Sequence, residues 1–367
     1  MEKKSIISSP QIVMILFITR LLFSTTYQSV LNAGNSIQDL LLSLPIVFIT
    51  NFIIAIPMLI LLKRYPGHDP VECATTVAGR GAGIVVAIFY YVFFILNAII
   101  TTGNFENYFT ISVISEVDSY AIGFLILVIC IYGALKGIEA MARFNSIAAV
   151  IYILTTAVIC ISVISLVKLN YLKPMLFNGT KYLMGSIALN YNLSSQIVML
   201  AFLAPFLQKG KSIGKTYAIW NVMSVIRVFV LEFNIVTVTG AFGAVHQQPL
   251  QLLATLSQIS VFDRVDSIDM VSWILNSVIT ITIYLYLAVS CLLKIGLNKH
   301  RKMLAIISGA IIFFISPYLS RNFIDLQSVI VSGVTSLVVT LFTVFIPIII
   351  LIADVIKGRV AQNVQKQ

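Results

Sequence analysis

The sequence predicts an all-α, polytopic membrane protein built from ten transmembrane helices. Of its 367 residues, 59% are hydrophobic and only 10% are charged, whereas a soluble domain is about half apolar and a quarter charged. The apolar residues form continuous runs of about 20, which suit spanning helices, rather than the alternating runs of about 10 found in outer-membrane barrels. This composition excludes an ordinary soluble domain, a disordered chain and a collagen.

Ten apolar segments are long enough to cross a bilayer, where a segment must satisfy its own backbone hydrogen bonds. The fourth and ninth are the shortest. The segments are approximately Gln11–Leu31, Leu40–Leu62, Ile84–Gly103, Tyr120–Leu135, Ile147–Val167, Leu183–Leu207, Tyr217–Gly240, Met270–Leu293, Met303–Leu319 and Val329–Ala353. They define a membrane domain over residues 1–353, followed by a short cytoplasmic tail over residues 354–367.

The distribution of Lys and Arg predicts the orientation. If the N-terminus is cytoplasmic, 17 of the 24 Lys and Arg residues fall in cytoplasmic segments and 5 in outside loops. This asymmetry follows the positive-inside rule and predicts that both termini are cytoplasmic. The formal net charge of +10 is therefore attributed to topology, and no nucleic-acid partner is expected.

The ten segments divide into two sets of five, over residues 11–167 and 183–353. Because five is odd, the second set enters the membrane from the opposite side, which is the inverted-repeat plan of many secondary transporters. Polar residues interrupt the first and sixth segments at matching places, Ser24–Ser29 and Asn190–Ser195. They predict two broken helices whose ends line a cavity and suit a carboxylate. The alternative is that these residues hydrogen-bond within a continuous bundle.

Charged residues within spans are candidate functional groups, because each costs at least about 2.5–3.5 kcal/mol to insert. Arg20 in the first span is a candidate partner for a substrate carboxylate or for Glu232 across the bundle. The alternative is an arginine that extends to the interface. A structural role is favoured for Arg227. Glu232 is the only acid placed within a span, since Glu106 and Asp269 are assigned to outside loops, and it is a candidate proton or cation site.

A ligand pocket at the bilayer midplane is expected to use polar side chains of the first, third, sixth and eighth segments. A small zwitterion needs amide, hydroxyl or dipole partners for its two charged ends. The candidates are Ser24, Thr25, Thr26, Asn97, Tyr191, Asn192, Ser194, Thr280 and Thr282.

Neither catalysis nor a metal or cofactor is predicted. The four cysteines have no C-x-x-C spacing, which argues against a zinc site and a disulfide framework. Residues 79–83 are rich in glycine but lack the Gly-Lys-Ser of a phosphate loop. No paired-carboxylate or nucleophile-elbow motif occurs.

Short motifs along nearly the whole chain resemble one family, the B subunits of endospore-germination receptors, which are related to amino-acid/polyamine/organocation transporters. They are Ile7-Ser8-Ser9-Pro10-Gln11, Arg64-Tyr65-Pro66, Ala78-Gly79-Arg80-Gly81-Ala82-Gly83, Lys136-Gly137-Ile138-Glu139-Ala140-Met141-Ala142-Arg143, Asn170-Tyr171-Leu172-Lys173-Pro174 with Gly179, and Phe262-Asp263-Arg264-Val265-Asp266-Ser267-Ile268-Asp269-Met270-Val271-Ser272-Trp273.

This resemblance implies a ten-helix, five-plus-five inverted repeat with broken first and sixth helices. It also implies the sensing of small nutrient germinants, usually amino acids, in a complex with an A subunit and a C lipoprotein at the inner spore membrane. Related transporters usually place glycine in the first break, whereas this sequence has Ser24-Thr25-Thr26.

The main hypothesis is a non-enzymatic receptor subunit that binds an amino acid or similar nutrient and passes a conformational change to its partners. One alternative is a proton- or sodium-coupled amino-acid permease of the same fold. A second is a membrane scaffold with a vestigial pocket.

Overall fold

The described part of the chain is helical and contains no β-strand. The computed structural model describes residues 6–27, 37–112, 117–176, 179–240, 242–243, 249–257 and 265–364. Their α-helices are α1 (Ser9–Tyr27), α2 (Ile37–Arg64), α3 (Pro70–Ala78), α4 (Arg80–Ser112), α5 (Ser119–Lys136), α6 (Ile138–Ser162), α7 (Thr180–Asn192), α8 (Gln196–Leu203), α9 (Ile213–Thr239), α10 (Pro249–Leu256), α11 (Val265–Leu292), α12 (Arg301–Arg321), α13 (Phe323–Val331), α14 (Gly333–Thr340) and α15 (Ile346–Val364).

Eight helical stretches in the described ranges are long and apolar enough to cross a membrane. One of them, Asp266–Arg321, is 56 residues long and includes a kink at Gly296, whose φ of 107° is not helical. This stretch covers both the eighth and the ninth predicted spans. The first predicted span corresponds to α1. Within it, the apolar stretch Ser9–Arg20 is shorter than the eight candidate spans. The membrane-protein class is thus confirmed, and the count of ten spans stays a prediction.

The N-terminal motif forms a capping box at the start of α1. The Ser8 main-chain N–H donates to Gln11 Oε1 over 2.9 Å, and the Gln11 N–H donates to Ser8 Oγ over 3.4 Å, which is the reciprocal pattern of an S-x-x-Q cap. The preceding residue, Ile7, is fully buried. Its main chain bonds to Phe206 O over 2.9 Å and to Gln208 N over 3.0 Å. The entry to the first span is thereby attached to the segment that follows α8.

The sixth span lies at the centre of the bundle. In its most apolar window 78% of the residues are buried, against 33–61% in the other seven candidate spans. All eight residues of α8 are buried, as expected for a helix that is apolar on every side. Both α1 and α2 pack against α8. Residues on α8 are therefore shielded from lipid by neighbouring helices, whereas α7 keeps exposed residues such as Met184.

The short helix α3 connects α2 and α4 and is fixed at its first turn. Asp69 is its N-cap and accepts hydrogen bonds from the main chain of Val71 (2.9 Å) and Glu72 (3.0 Å). Lys294, between α11 and α12, forms ion pairs with both Asp69 and Glu72. Burial raises the pKa of the Cys73 thiol on α3 to about 12, so this cysteine stays protonated and unreactive at neutral pH.

The C-terminal helix extends beyond the predicted end of the membrane domain. It continues without interruption from Ile346 to Val364. Asp354, the first residue of the predicted tail, pairs with Arg64 over 2.6 Å and accepts a hydrogen bond from Tyr65 over 2.6 Å. The first part of the tail is therefore helical and attached to the end of α2.

Candidate functional site at the break of the sixth span

The sixth span is broken at the polar residues that the sequence indicates. Helix α7 ends at Asn192 and α8 begins at Gln196. Between them Leu193 (φ −87°, ψ 3°) and Ser195 (φ −85°, ψ 8°) leave the α-helical conformation. The interruption exposes the last carbonyl groups of α7, which carry the negative end of that helix dipole. This prediction is confirmed, with three residues rather than six outside the helices.

Arg20 satisfies the exposed end of α7. Its Nη1 donates to the main-chain oxygen of Leu193 over 2.8 Å and to Ser194 Oγ over 2.6 Å. Its Nη2 donates to Asn190 Oδ1 over 3.2 Å. The Arg20 side chain is only 2% exposed, so it does not extend to the interface. A buried cation is tolerable where its N–H groups meet fixed acceptors and the negative end of a helix.

The acceptors around Arg20 are all uncharged. Among the described residues, no carboxylate lies within salt-bridge distance of its guanidinium, so a direct pair with Glu232 is not formed. Its Nε has no hydrogen-bond partner there. The positive charge of Arg227 on α9 lies close enough to act on Arg20. The break is therefore an electropositive site within the bundle.

Asn192 joins this break to a second one, between α13 and α14. Its Nδ2 donates to Ile330 O over 2.8 Å and to Ser332 O over 3.3 Å, while its Oδ1 accepts from Ser336 Oγ over 2.6 Å. Tyr191 makes a further hydroxyl contact with Thr340. Two of the predicted ligand residues thus connect the sixth span to the last one.

The break predicted in the first span is absent where the structure describes it. Residues 24–27 are the last four residues of α1, and Gln28 and Ser29 lie outside the described residues. The first four residues of the polar run are therefore helical, and the break in the first span stays a prediction. The positions of Ser24, Thr25 and Thr26 along α1 are known, but their side chains are not described.

Arg227 and Glu232 are both buried on α9, as the sequence predicts for charged residues within a span. The Arg227 guanidinium lies 5.6 Å from the centre of the Phe17 ring on α1, a cation–π contact. Its charge also acts on the Glu232 carboxyl. The second carboxylate oxygen of Glu232, Oε2, has no hydrogen-bond partner among the described residues. Arg227 thus holds α9 against α1, and Glu232 remains a candidate proton site.

Three further acids, Asp39, Glu106 and Asp269, are buried on helices of the bundle, although the sequence assignment placed them in outside loops. Glu106 is fully buried on α4, accepts a hydrogen bond from Ser316 Oγ over 2.7 Å, and has no partner for Oε2 among the described residues. Asp269 is 4% exposed on α11. The predicted third span ends at Gly103 because polar residues follow, but α4 continues to Ser112. The aromatic residues 105, 108 and 109 were the signal for this extension.

Among the remaining candidates, Asn97, Thr280 and Thr282 form no hydrogen bond with Arg20 in the described part of the chain. Asn97 on α4 donates to Phe93 O over 2.8 Å, and Thr280 on α11 donates to Asn276 O over 2.8 Å, each within its own helix. Thr282 faces α5, where its Cγ2 would lie 2.9 Å from a Cβ at Gly133. The structure therefore brings Ser194 to Arg20, directs Tyr191 and Asn192 to the last span, and places Thr282 at another cavity.

Comparison with known proteins identifies the family. The family model described as "Spore germination protein" matches residues 6–324. The chain belongs to the spore germination protein family. It is also similar to spore germination protein KB of Bacillus subtilis (strain 168), with 24% identity over 267 residues that cover 71% of each chain.

Solved structures establish the fold. A Na⁺-coupled sialic acid symporter in a substrate-bound, outward-open state matches with a TM-score of 0.64 and 12% identity, over 92% of this chain and 77% of that one. MhsT in complex with L-phenylalanine matches with a TM-score of 0.65 and 13% identity, over 96% of this chain and 99% of that one. These are transporters of the LeuT fold, which is built from inverted repeats.

Family and fold together define the class of this protein. It is an integral membrane protein of the germinant-receptor or permease-like type, and its family is not one of enzymes. Membership implies association with other germinant-receptor subunits and with a small germinant. The resemblance seen in the sequence motifs is therefore confirmed.

Proposed function

We propose that this protein is the membrane subunit of a nutrient-germinant receptor, which binds a small amino acid at the bilayer midplane beside the break between α7 and α8. Arg20 is the observation that carries the proposal. It is a buried cation at the broken helix whose hydrogen-bond acceptors are all uncharged. A ligand carboxylate would supply the negative charge that these acceptors lack, through the bidentate geometry that a guanidinium favours.

The same contact suggests how binding becomes a signal. A carboxylate on Arg20 would compete with Leu193 O and Asn190 Oδ1 for the guanidinium N–H groups. The end of α7 would then lose its hydrogen bonds to α1. The conformation in which α7 is bonded to α1 would become less stable relative to conformations in which α7 has moved. A ligand that prefers one of two states shifts their populations by its difference in affinity.

We place the receptor in the inner membrane of the spore, with both termini cytoplasmic. Its partners would be an A subunit and a C lipoprotein, to which the shift at α7 is transmitted. Asn192 is the proposed link within this chain, because it connects the break to α13 and α14. Any movement of α7 would therefore reach the last span, whose helix continues into the tail.

Binding of amino acids and of their primary amides to the purified receptor tests the proposal without a mutation. The amide keeps the side chain and the ammonium group but lacks the negative charge. We expect thermal stabilisation by one or more amino acids and none by the corresponding amides, because only the acid can neutralise Arg20. Equal binding of both forms would refute recognition through Arg20. Loss of the acid preference in Arg20→Gln, with binding partly kept in Arg20→Lys, would support it.

A second candidate is a proton-coupled amino-acid permease, which the buried carboxyl groups of Glu106 and Glu232 favour. Burial disfavours the charged form of a carboxyl, so a buried carboxyl can hold a proton, and such groups form proton paths in transporters. Uptake of a labelled amino acid into proteoliposomes that contain this chain alone would support transport. Its abolition in Glu232→Gln would identify the proton site, whereas binding without flux would favour the receptor.

A further inference from the structure

A cavity separate from the break lies between α5, α6 and α11. Its volume is about 260 Å³, which exceeds the roughly 30 Å³ that one water occupies in the liquid. Space is available because Gly133 has no side chain: a Cβ there would lie only 2.9 Å from Thr282 Cγ2. The other lining side chains are mainly apolar: Ile129, Tyr132, Ala140, Met141, Phe144, Val278 and Ile279. A polar nutrient would find almost no hydrogen-bond partners in it.

The outer wall of this cavity faces the lipid. Ile129 is 55% exposed, Tyr132 62% and Phe144 49%, and all three lie on helices apolar enough to span the membrane. Side chains exposed on such helices contact acyl chains in a bilayer. The cavity is therefore accessible from the hydrocarbon layer, which makes a lipid chain its natural occupant.

One end of the cavity carries a cation. Lys136 is the last residue of α5 and lines the cavity, with its Nζ 4.8 Å from the centre of the Tyr132 ring. Ile129 is seven residues earlier on the same helix, about 10 Å deeper at 1.5 Å per residue. When the apolar part of the cavity lies in the hydrocarbon layer, the Lys136 ammonium group therefore lies at the membrane surface.

The neighbouring charges leave this end positive. Arg301 donates to Ala134 O over 3.1 Å at the last turn of α5. Glu139 is the nearby acid, and it is paired with Arg143 over 2.7 Å. Lys136 has no carboxylate within ion-pair distance among the described residues. Basic groups between spans at a membrane surface bind the headgroups of anionic lipids.

We propose that this cavity binds one acyl chain of an anionic phospholipid, whose phosphate contacts Lys136. The chain enters between Tyr132 and Phe144 and extends towards Ile129, while Lys136 and Arg301 supply the positive charge at the headgroup. The bound lipid fills the space between α5, α6 and α11 and stabilises their packing. This site does not depend on the germinant or on Arg20.

Native mass spectrometry of the full chain, in detergent with equal amounts of phosphatidylglycerol and phosphatidylcholine of the same acyl chains, tests the site. We expect phosphatidylglycerol to be retained preferentially. Lys136→Gln should weaken its retention about fivefold, the effect of one Lys near a membrane surface. Ala140→Phe should remove retention of both lipids, because the ring fills the cavity. Both residues are exposed, so both variants are expected to fold.

Matched controls are Lys302→Gln and Ala310→Phe, which change exposed residues of α12 outside this cavity and should leave retention unchanged. Equal retention of the two lipids by the wild type would overturn the role of Lys136. Phosphatidylglycerol that persists in Ala140→Phe would overturn the cavity as its site. Displacement of the lipid by glycerol phosphate alone would indicate a headgroup site without an acyl chain, and would also contradict the proposal.

Discussion

Arg20 on α1 donates a 2.8 Å hydrogen bond to the main-chain oxygen of Leu193, the residue at which the sixth span stops being helical. The first and sixth spans are therefore joined at the point where the sixth is broken. The break interrupts the helical ladder of backbone hydrogen bonds, and a buried guanidinium supplies a donor to the Leu193 carbonyl. The stability of the break and the availability of a cation for a ligand thus depend on the same side chain.

Replacing Arg20 by Met is expected to lower the thermal stability of the detergent-solubilised protein. The change leaves Leu193 O and Asn190 Oδ1 without these donors. Each buried acceptor left unsatisfied lowers the free energy of unfolding by about 1–3 kcal/mol. Arg20→Lys should fall between, since an ammonium group lacks the planar fork of a guanidinium. Thermal unfolding followed by tryptophan fluorescence measures the effect. Arg143→Met, which breaks an exposed pair with Glu139, is the control and should cost at most about 1 kcal/mol.

Asn192→Ala is expected to uncouple the sixth span from the last one. The change removes the donor to Ile330 O and the acceptor for Ser336 Oγ. The loss of a partner for the buried carbonyl lowers the free energy of unfolding by about 1–3 kcal/mol. Faster hydrogen exchange at α13 and α14 would show the loss of coupling. The control is Asn234→Ala, because Asn234 bonds within α9 to Val230 O. A similar change in exchange for both variants would contradict this role of Asn192.

Gly123→Ala is expected to destabilise the packing of α4 against α5. A Cβ at Gly123 would lie 2.4 Å from Glu106 Oε1, so the buried carboxyl would have to leave its hydrogen bond with Ser316. Gly185→Ala on α7 is the matched control, because nothing lies within 4 Å of its added Cβ. That change should be neutral or stabilising by up to about 1 kcal/mol, the helix preference of Ala over Gly. If both variants unfold at the wild-type temperature, Glu106 is not held as described.

Two substitutions of Asp69 separate its cap from its ion pair. Asp69→Asn keeps a good N-cap for α3 but removes the charge that pairs with Lys294. Asp69→Ala removes both, and should be less stable than the Asn variant by about 1 kcal/mol. Limited proteolysis between α2 and α4 measures how firmly α3 is attached. Cleavage of the Asn variant at the wild-type rate would show that the ion pair contributes nothing.

Hydropathy located the spans because lipid imposes a local rule: each crossing segment must be apolar and satisfy its own backbone. The sixth break was also predictable, because a continuous helix in lipid does not need a run of polar residues in its middle, whereas a broken helix does. In the first span the same rule leaves the break a prediction, because Ser24–Tyr27 are helical while Gln28 and Ser29 lie outside the described residues. Polarity marks where a helix can be interrupted, whereas the backbone freedom of glycine helps decide whether it is.

Glu106 shows where hydropathy misleads. A single charged residue after Gly103 lowered the local average enough to end the predicted span, although aromatic residues follow it on the same helix. The structure buries that carboxyl beside Ser316, 210 positions away in the chain. A charge can lie within a bundle when a distant helix provides a partner, and an average over neighbouring residues does not contain that partner.

By itself, the sequence determined the membrane class, the approximate bounds of the spans, the family and the position of the sixth break. Only the tertiary structure decided that Arg20 meets Leu193, 173 positions away, that Asn192 reaches α13, and that Thr282 faces a cavity lined by lipid-exposed helices. The physical reason is the range of the interactions. Burial of apolar runs and backbone bonding act along one segment, whereas a side chain's partner depends on how the helices rotate and pack against one another.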